Sequence, residues 1–448
     1  MKKFIDTIKN IWKVEELRNR ILLTLGLILI YRVGSFIILP GIDQNQMNGT
    51  SAAGGLAGIL DLFAGGAFSK ASIMALGIMP YISASIIMQL LGMAVPVVQK
   101  MQKEGESGRR KINGYTRILT ILICAFQGPS YLSLYVVDQG GAINPDMMWW
   151  TTSISLLIAG TMFAMWLGER ITDKGVGNGI SLLITVGILA RFPQAVFGEF
   201  FERNNGAGGI FMFIVELLVF FAIIIVTVLI VQGVRRVPIN YAKRVVGNAN
   251  AADAGQRSYI PLKVNASGVM PIIFAQAIMT VPGMLRGQES TNWFLAELSD
   301  FTSFTYNLVF AILIIVFTYF YTAITINPKQ IADDLKRGGG FVPGIKPGTE
   351  TADFIDTILS RITFPGSFFL AAIAIIPAFA ILFGVGQGFA MFMGGTSMLI
   401  MVGVVLDTLQ QIETYLLNRH YDGLMEGGKI RGRRSSNEMT SQGLGGGI

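Results

Sequence analysis

Side chains able to do chemistry are scarce in the long apolar runs of this chain. Arg32, Asp407 and Glu413 stand inside such runs, and Glu169 and Arg170 end another. An ion-coupled pump or a membrane enzyme needs ionisable groups at depth, where they are costly and persist for function. Here no two carboxylates stand at helical spacing in mid-run. No nucleophile elbow, phosphate loop or metal-ligand cluster occurs. The one histidine, His420, lies in a basic tail and excludes a zinc site built on histidines. The one cysteine, Cys124, excludes an internal disulfide framework. Arg32 and Asp407 are candidates for an ion pair between two parts of a bundle, with snorkelling to a helix end as the alternative. The informative residues are isoleucines. Ile78 and Ile82 stand four apart around Pro80, and Ile180 and Ile184 repeat that spacing. Such pairs share one helix face. On composition alone they are ordinary lipid-facing or core residues; a common apolar axis is the sharper alternative.

The elements that would position them are membrane helices. The 448 residues are 52% hydrophobic and 14% charged, against about 25% charged in soluble proteins. Mean hydropathy is +0.56. Ten apolar runs follow one another, at 21–40, 72–94, 116–136, 151–168, 178–192, 211–232, 266–284, 306–326, 364–384 and 391–416. The expected fold is an all-α polytopic membrane protein of ten transmembrane helices. The first run is too long for a signal-peptide core and lacks a small-residue cleavage site, so it should remain as a span. The net charge of +7 collects in connections beside the runs, which suits membrane orientation and anionic headgroups better than nucleic acid. Lys100, Lys103, Arg109, Arg110 and Lys111 follow the second run; only Asp138 and Asp146 charge the next connection. Basic and poor connections alternate, which places both termini in the cytoplasm.

The stretch 54–91 breaks the pattern. It is too long for one span and too short for two with a turn, since a bilayer core takes roughly 20 helical residues. Leu56 to Phe63 amounts to about two helical turns, stopped by Gly65 and Gly66, and Lys70 separates it from the longer run. A short half-helix cannot sit in lipid with its ends unsatisfied; it needs surrounding protein or a water cavity. A half-inserted element inside a bundle is expected, against the alternative of a surface amphipathic helix.

The remaining organisation follows from the connections. Residues 1–20 form a basic amphipathic lead, and 419–448 a cytoplasmic tail whose glycine-rich end is expected to be disordered. The connection 193–210 carries Asn204, Asn205, Gly206, Gly208 and Gly209 and lies at mid-chain, a plausible extracytoplasmic hinge between five-helix halves at 21–192 and 211–418. Inverted five-helix repeats occur in transporter-like folds. Two long basic connections, 233–265 and 327–363, offer docking surfaces for an acidic or nucleic-acid-rich partner, with solvated linkers as the alternative.

At Ala75-Leu-Gly-Ile-Met-Pro-Tyr-Ile-Ser-Ala-Ser-Ile-Ile-Met-Gln-Leu-Leu91 the sequence resembles the SecY family, the central subunit of the protein-conducting channel. A second match is Trp166-Leu-Gly-Glu-Arg-Ile-Thr-Asp-Lys-Gly-Val-Gly-Asn-Gly-Ile-Ser-Leu-Leu-Ile184. Shorter matches begin at Glu104, Asn240, Pro261, Phe341 and Gly394, in family order over nearly the whole chain. The resemblance implies two pseudo-symmetric five-helix halves around an hourglass pore with a re-entrant plug half-helix. It places six isoleucines at the constriction: Ile78, Ile82, Ile180, Ile184, Ile273 and Ile400. An apolar constriction excludes ions by dewetting yet offers no fixed charge to a passing chain. Residues of about 56–69 match the plug, with Leu56, Ile59, Leu60, Asp61, Phe63, Gly65 and Gly66. Ser83, Gln127 and Asn265 match polar positions of the lateral gate, where hydrogen bonds across helices contribute roughly 0.6–2 kcal/mol each. Arg235, Arg236, Lys243 and Arg244 match one docking loop and Lys346 the other.

What this implies is a passive channel, not an enzyme, with no cofactor, in the bacterial cytoplasmic (inner) membrane. Its substrates would be unfolded secretory and membrane polypeptides with their signal peptides. Its expected partners are SecE and SecG, the motor ATPase SecA and the ribosome. One departure stands out: the family usually has arginine where this chain has Lys346, and lysine keeps the charge but loses the planar fork. The main rival is a secondary transporter with inverted repeats, which would need midplane coupling groups. A membrane-embedded enzyme of another fold would need a catalytic dyad in a span.

Overall fold

A computed structural model describes residues 12, 14–43, 55–138, 140–205, 209–241, 258–285, 297–298, 300 and 302–427. Each of the ten apolar runs holds a helix: α1 (Glu15–Gly34), α3 (Met79–Ala94), α5 (Glu106–Leu132), α6 (Met147–Lys174), α7 (Gly179–Asn205), α8 (Gly209–Gln232), α9 (Met270–Leu285), α10 (Phe304–Thr325), α12 (Thr349–Leu382) and α14 (Gly395–Gly427). Four shorter helices intervene: α2 (Gly55–Phe63), α4 (Pro96–Lys103), α11 (Pro328–Arg337) and α13 (Gln387–Met393). Among the described residues, seven helices are long and apolar enough to cross a membrane, or eight if the pair bent at Pro96 counts as one span. The expected ten is not reached by this measure. Helix α1 carries Arg18, Arg20 and Arg32, and α9 is only 16 residues long.

Several boundaries differ from those expected. Helix α7 runs straight through the expected connection 193–210 to Asn205, although Pro193 lies inside it, and α8 begins at Gly209. Residues 206–208 of the mid-chain connection lie outside the described residues. Helix α1 begins at Glu15, inside the expected lead 1–20. Helix α12 begins at Thr349, inside the expected loop 327–363, and α14 continues to Gly427, inside the expected tail. Polar first and last turns extend these helices past the apolar stretch that hydropathy detects.

One element was not expected at all. Val234–Tyr241 (β1) pairs antiparallel with Ser258–Lys263 (β2) and with Gly340–Phe341 (β3), in the order β2-β1-β3. Val237 opposes Ile260 and Arg235 opposes Leu262. Alternation along β1 buries Val237 and Ile239, which pack with Leu262 of β2, Leu335 of α11, Val342 just after β3, and Ile355 and Leu359 of α12. The two long connections therefore share a small core of their own, and Arg235 and Arg236 are exposed. Helix α11 is capped by Asn327, whose side chain accepts from the Gln330 N–H, and ends in Lys336 and Arg337, favourable to its macrodipole.

At the far end of α8 from the sheet, charges are buried together. Arg203 on α7 pairs with Glu199 at 3.1 Å and with Glu216 of α8 at 2.5 Å. Its guanidinium also donates to the Gly384 carbonyl, and Glu199 accepts the Gly386 N–H at 2.9 Å. This cluster ties the last turn of α7 to α8 and to the turn before α13. Nothing in the apolar pattern pointed to it. Removing one partner of a buried pair costs about 3–5 kcal/mol because the remaining charge is stranded. Arg203→Ala is expected to lower the unfolding midpoint in detergent sharply, whereas Glu202→Gln on the exposed face beside it should leave the midpoint unchanged.

Candidate functional site

The expected constriction residues share a local rule: each sits where a helix begins. Ile78 is the N-cap of α3, and Ile82 lies in its first turn after Pro80. Ile180 and Ile184 open α7, Ile273 is in the first turn of α9, and Ile400 is the sixth residue of α14. Ile78, Ile82, Ile184 and Ile400 are buried in one apolar cluster, and Ile180 and Ile273 are half-buried against it. Glycines set these starts. A Cβ on Gly168 of α6 would lie 2.9 Å from the Ile180 side chain, and one on Gly179 would lie 2.0 Å from the Gly168 carbonyl oxygen. The α6–α7 turn is then pinned from outside: the Val176 N–H donates to Thr24 of α1 at 3.1 Å, and the Gly177 N–H donates to Gln411 of α14 at 2.9 Å. Gly177 and Gly395 have φ of +84° and +67°, which glycine adopts without steric cost. A Cβ on Gly394 would meet the Ile373 carbonyl oxygen at 2.8 Å, so the break before Ile400 packs directly on α12.

A cavity flanks this cluster on each side. On the sheet side a space of about 880 Å³ is lined by Asn178, Ser181, Ile273, Asp407, Gln411 and Tyr415 among others. On the opposite side a space of about 370 Å³ is lined by Asp61, Leu62, Arg191, Glu199, Glu202 and Phe392 among others. Asp407 lies in the first cavity, far from Arg32, which donates to the Gly65 carbonyl at 3.0 Å. The expected Arg32–Asp407 pair is therefore not formed.

Helix α2 and the turns after it fill the second side. Phe63 is buried in the isoleucine cluster, and Leu60 packs at a neighbouring one that includes Phe68 and Tyr131. For Leu56 and Ile59 the backbone is helical. Gly65 and Gly66 have φ of +63° and +90°. A Cβ on Gly65 would come within 2.7 Å of the Gly187 Cα, so α7 and the turn after α2 meet backbone to backbone. Asp61 pairs with Arg191 of α7. Sequence reasoning missed this pair, although Arg191 at the end of an apolar run and Asp61 in an apolar half-helix both demanded a partner.

The remaining expected sites divide. Ser83 and Gln127 stand half-buried on α3 and α5, which pack side by side. Asn265 is buried in the turns before α9 and accepts from Ser267 at 3.3 Å, within its own turn rather than across the seam. Helices α3 and α9 touch only lightly. Lys346 is exposed and lies 3.8 Å from Glu350. Lys243 and Arg244 lie outside the described residues. Among the described residues, no group of three or more His, Cys, Asp or Glu could hold a metal ion.

Comparison with known proteins fits this geometry. The family model described as SecY matches residues 72–409. The chain belongs to the SecY family. It is 40% identical over 444 residues to the protein translocase subunit SecY of Thermotoga maritima, covering 95% of this chain and 99% of the relative. It is 43% identical over 431 residues to that of Halalkalibacterium halodurans, covering 94% and 99%. Among solved structures it is similar to one described as the structure of a protein conducting channel, with a TM-score of 0.62 at 18% identity over 88% of this chain and 91% of that one. It is also similar to Sec61 in the canine ribosome-channel complex from the endoplasmic reticulum, with a TM-score of 0.57 at 18% identity over the same shares. At such identity the structures speak for the fold. This SecY-family chain is a multi-pass membrane protein, and the reading as a secondary transporter finds no support.

The close approach of α7 to the plug segment yields a test. A Cβ on Gly187 would lie 2.8 Å from the Phe63 carbonyl oxygen. Gly187→Val is expected to unseat α2 and expose Leu62. With Leu62→Cys as reporter, thiol labelling should accelerate about tenfold, equivalent to roughly 1.4 kcal/mol of local destabilisation. Native Cys124 is buried and should contribute little background.

Proposed function

We propose that this chain is the pore-forming subunit of the bacterial protein-conducting channel, described here in a closed state. In this reading it lies in the cytoplasmic (inner) membrane with ten spans in two five-helix halves, and both termini and the sheet face the cytoplasm. Unfolded secretory polypeptides enter the sheet-side cavity, pass the six isoleucines and leave where the plug, residues 56–69, has swung aside. Apolar segments leave sideways between α3/α5 and α9/α10, past Ser83, Gln127 and Asn265. SecE and SecG brace the halves, which hinge at the mid-chain connection 193–210. SecA or the ribosome docks on the basic face of Arg235, Arg236, Lys243 and Arg244 and on the turn with Lys346. Energy comes from the motor, the ribosome or the proton motive force, and the chain itself is not an enzyme and needs no cofactor.

The observation that carries this reading is the pair of cavities separated by a cluster of isoleucines, with a half-helix seated on one side of it. Such a septum holds no fixed charge, so it binds no substrate tightly. It excludes water and ions by its apolar lining, yet its side chains can yield around an extended chain. A bound motor and a signal helix together favour the open state because both bind it better than the closed one.

Ile82→Gly combined with Ile184→Gly is expected to raise the resting ion conductance of the reconstituted channel. An unchanged conductance would remove these residues from the seal. A stalled secretory chain should crosslink to cysteines placed at both Ile82 and Ile273; crosslinks at neither position would rule out this path.

A further inference from the structure

We propose that Gln411 of α14 is a positioning residue for the seal: it registers α14 against α7, so that Ile400 stands level with Ile180 and Ile184. The proposal rests on the channel reading above and deepens it. The turn between α6 and α7, residues 175–178, leads directly into Ile180. Side chains hold its backbone. The Val176 N–H donates to Thr24 Oγ1 at 3.1 Å, and the Gly179 N–H that follows donates to Thr172 Oγ1 at 2.9 Å. Thr24 and Thr172 stand on α1 and α6, in the same half of the chain as the turn, and move with it. The Gly177 N–H donates to Gln411 Oε1 at 2.9 Å, and Gln411 comes from the last helix of the other half.

This bond is one rung of a stripe. Thr408, Gln411 and Tyr415 follow at intervals of three and four residues, on one face of α14. A Cβ on Gly177 would lie 3.0 Å from Thr408 Oγ1, so α14 packs on the turn where no side chain intervenes. The Tyr415 hydroxyl accepts from Arg20 Nη1 of α1 at 3.2 Å, and the guanidinium lies 5.1 Å from the ring centroid. The stripe therefore fixes the height of α14 beside the first half. From the contact of Gly177 with Thr408, Ile184 stands seven residues forward along α7 and Ile400 eight residues back along α14. At 1.5 Å per helical residue these are about 10 and 12 Å. One chain leaves the contact forward and the other backward, so both isoleucines reach the same level, and both are buried in one cluster there. Apolar contact is non-directional and sets no register by itself. A hydrogen bond does, because its geometry is narrow.

The test uses the full chain with its membrane partner subunits in proteoliposomes and planar bilayers. Ile184→Cys with Ile400→Cys, bridged by a short bifunctional thiol reagent, reads whether the two positions stand level. Gln411→Leu keeps the bulk of the side chain and removes the acceptor. It should slow this crosslink about fivefold, and in the channel with native isoleucines raise resting conductance about fivefold, the factor of one net hydrogen bond. Gln411→Glu keeps an acceptor at the same reach and should match the parent in both readouts. Glu413→Gln, exposed on another face of α14, should match it too. Thr408→Leu thickens the stripe against Gly177 and should also slow the crosslink, which gives a second reading if Gln411→Leu assembles poorly. A crosslink at the parent's rate in Gln411→Leu, or Gln411→Glu as slow as Gln411→Leu, would overturn the registration. A slowed crosslink with unchanged conductance would overturn its link to the seal. If the registration fails while the Ile82→Gly/Ile184→Gly channel leaks, the channel reading stands. If the crosslink slows as expected while that channel stays tight, the registration stands and the channel reading fails.

Discussion

Irregular backbone at membrane depth must find its own hydrogen-bond partners, because hydrocarbon offers none. In this chain that demand falls on residues 64–78, the turns between α2 and α3. They meet it from every direction. The Gly66 N–H reaches the Asp61 carbonyl, and the Ser72 N–H reaches that of Ala67. The Leu39 N–H takes the Ala71 carbonyl, and the Ile73 N–H takes that of Ile37, so the end of α1 and these turns complete one another. Two carbonyls accept from side chains: Gly65 from Arg32, and Phe68 from the hydroxyl of Tyr131 at 2.7 Å. A segment secured in this way can hold a half-helix against the centre of a bundle without lipid contact.

The same constraint explains where the isoleucines stand. A helix that began at the membrane surface would present its first turn to water. Here α3 begins only after the buried turns, and α14 begins after the break at Gly394. Each start brings a side chain from the first two turns to the apolar cluster instead. The helices can approach there because glycine removes the Cβ that would keep them apart, at Gly168 against Gly179 and at Gly65 against Gly187. Small residues let membrane helices pack backbone to backbone, and bulky isoleucines then close the space the glycines leave between helix starts. Seal and close packing are therefore one arrangement seen from two sides.

Much of the architecture was legible in the sequence, and the failures have physical causes. Each of the ten apolar runs holds a helix, because hydrocarbon selects composition strongly, but only seven or eight of the described helices are long and apolar enough to cross a membrane. They misplaced the ends at Asn205, Thr349 and Gly427, where a helix outlasts its apolar stretch and hydropathy falls silent. The sheet was hidden because β1 alternates over only Val237 and Ile239 and its partners lie far along the chain. The half-helix was visible from Gly65, Gly66 and Lys70, since glycine and charge interrupt an otherwise apolar run. The Arg32–Asp407 pairing was misjudged because charge complementarity carries no distance. Arg32 settled on a backbone carbonyl, an acceptor with no signature in a sequence. Placing the six isoleucines took family resemblance, for an isoleucine in a membrane helix is otherwise indistinguishable from lipid-facing packing.

On the proposed reading, the distribution of charge follows from what a septum for polypeptides must not do. A passing chain presents every kind of side chain in turn, so a fixed charge at the waist would hold opposite charges and repel like ones. The isoleucine cluster carries none. Charges are nevertheless needed to hold a movable part in place, and they stand where they meet another residue of the chain itself. Asp61 meets Arg191 at the edge of the outer cavity, and Arg203 meets Glu199 and Glu216 near the mid-chain connection. Both sets belong to α7, the helix that also supplies Ile180 and Ile184. One helix thus carries Ile180 and Ile184 at its start, the contact to α2 at its middle and the tie to α8 at its end.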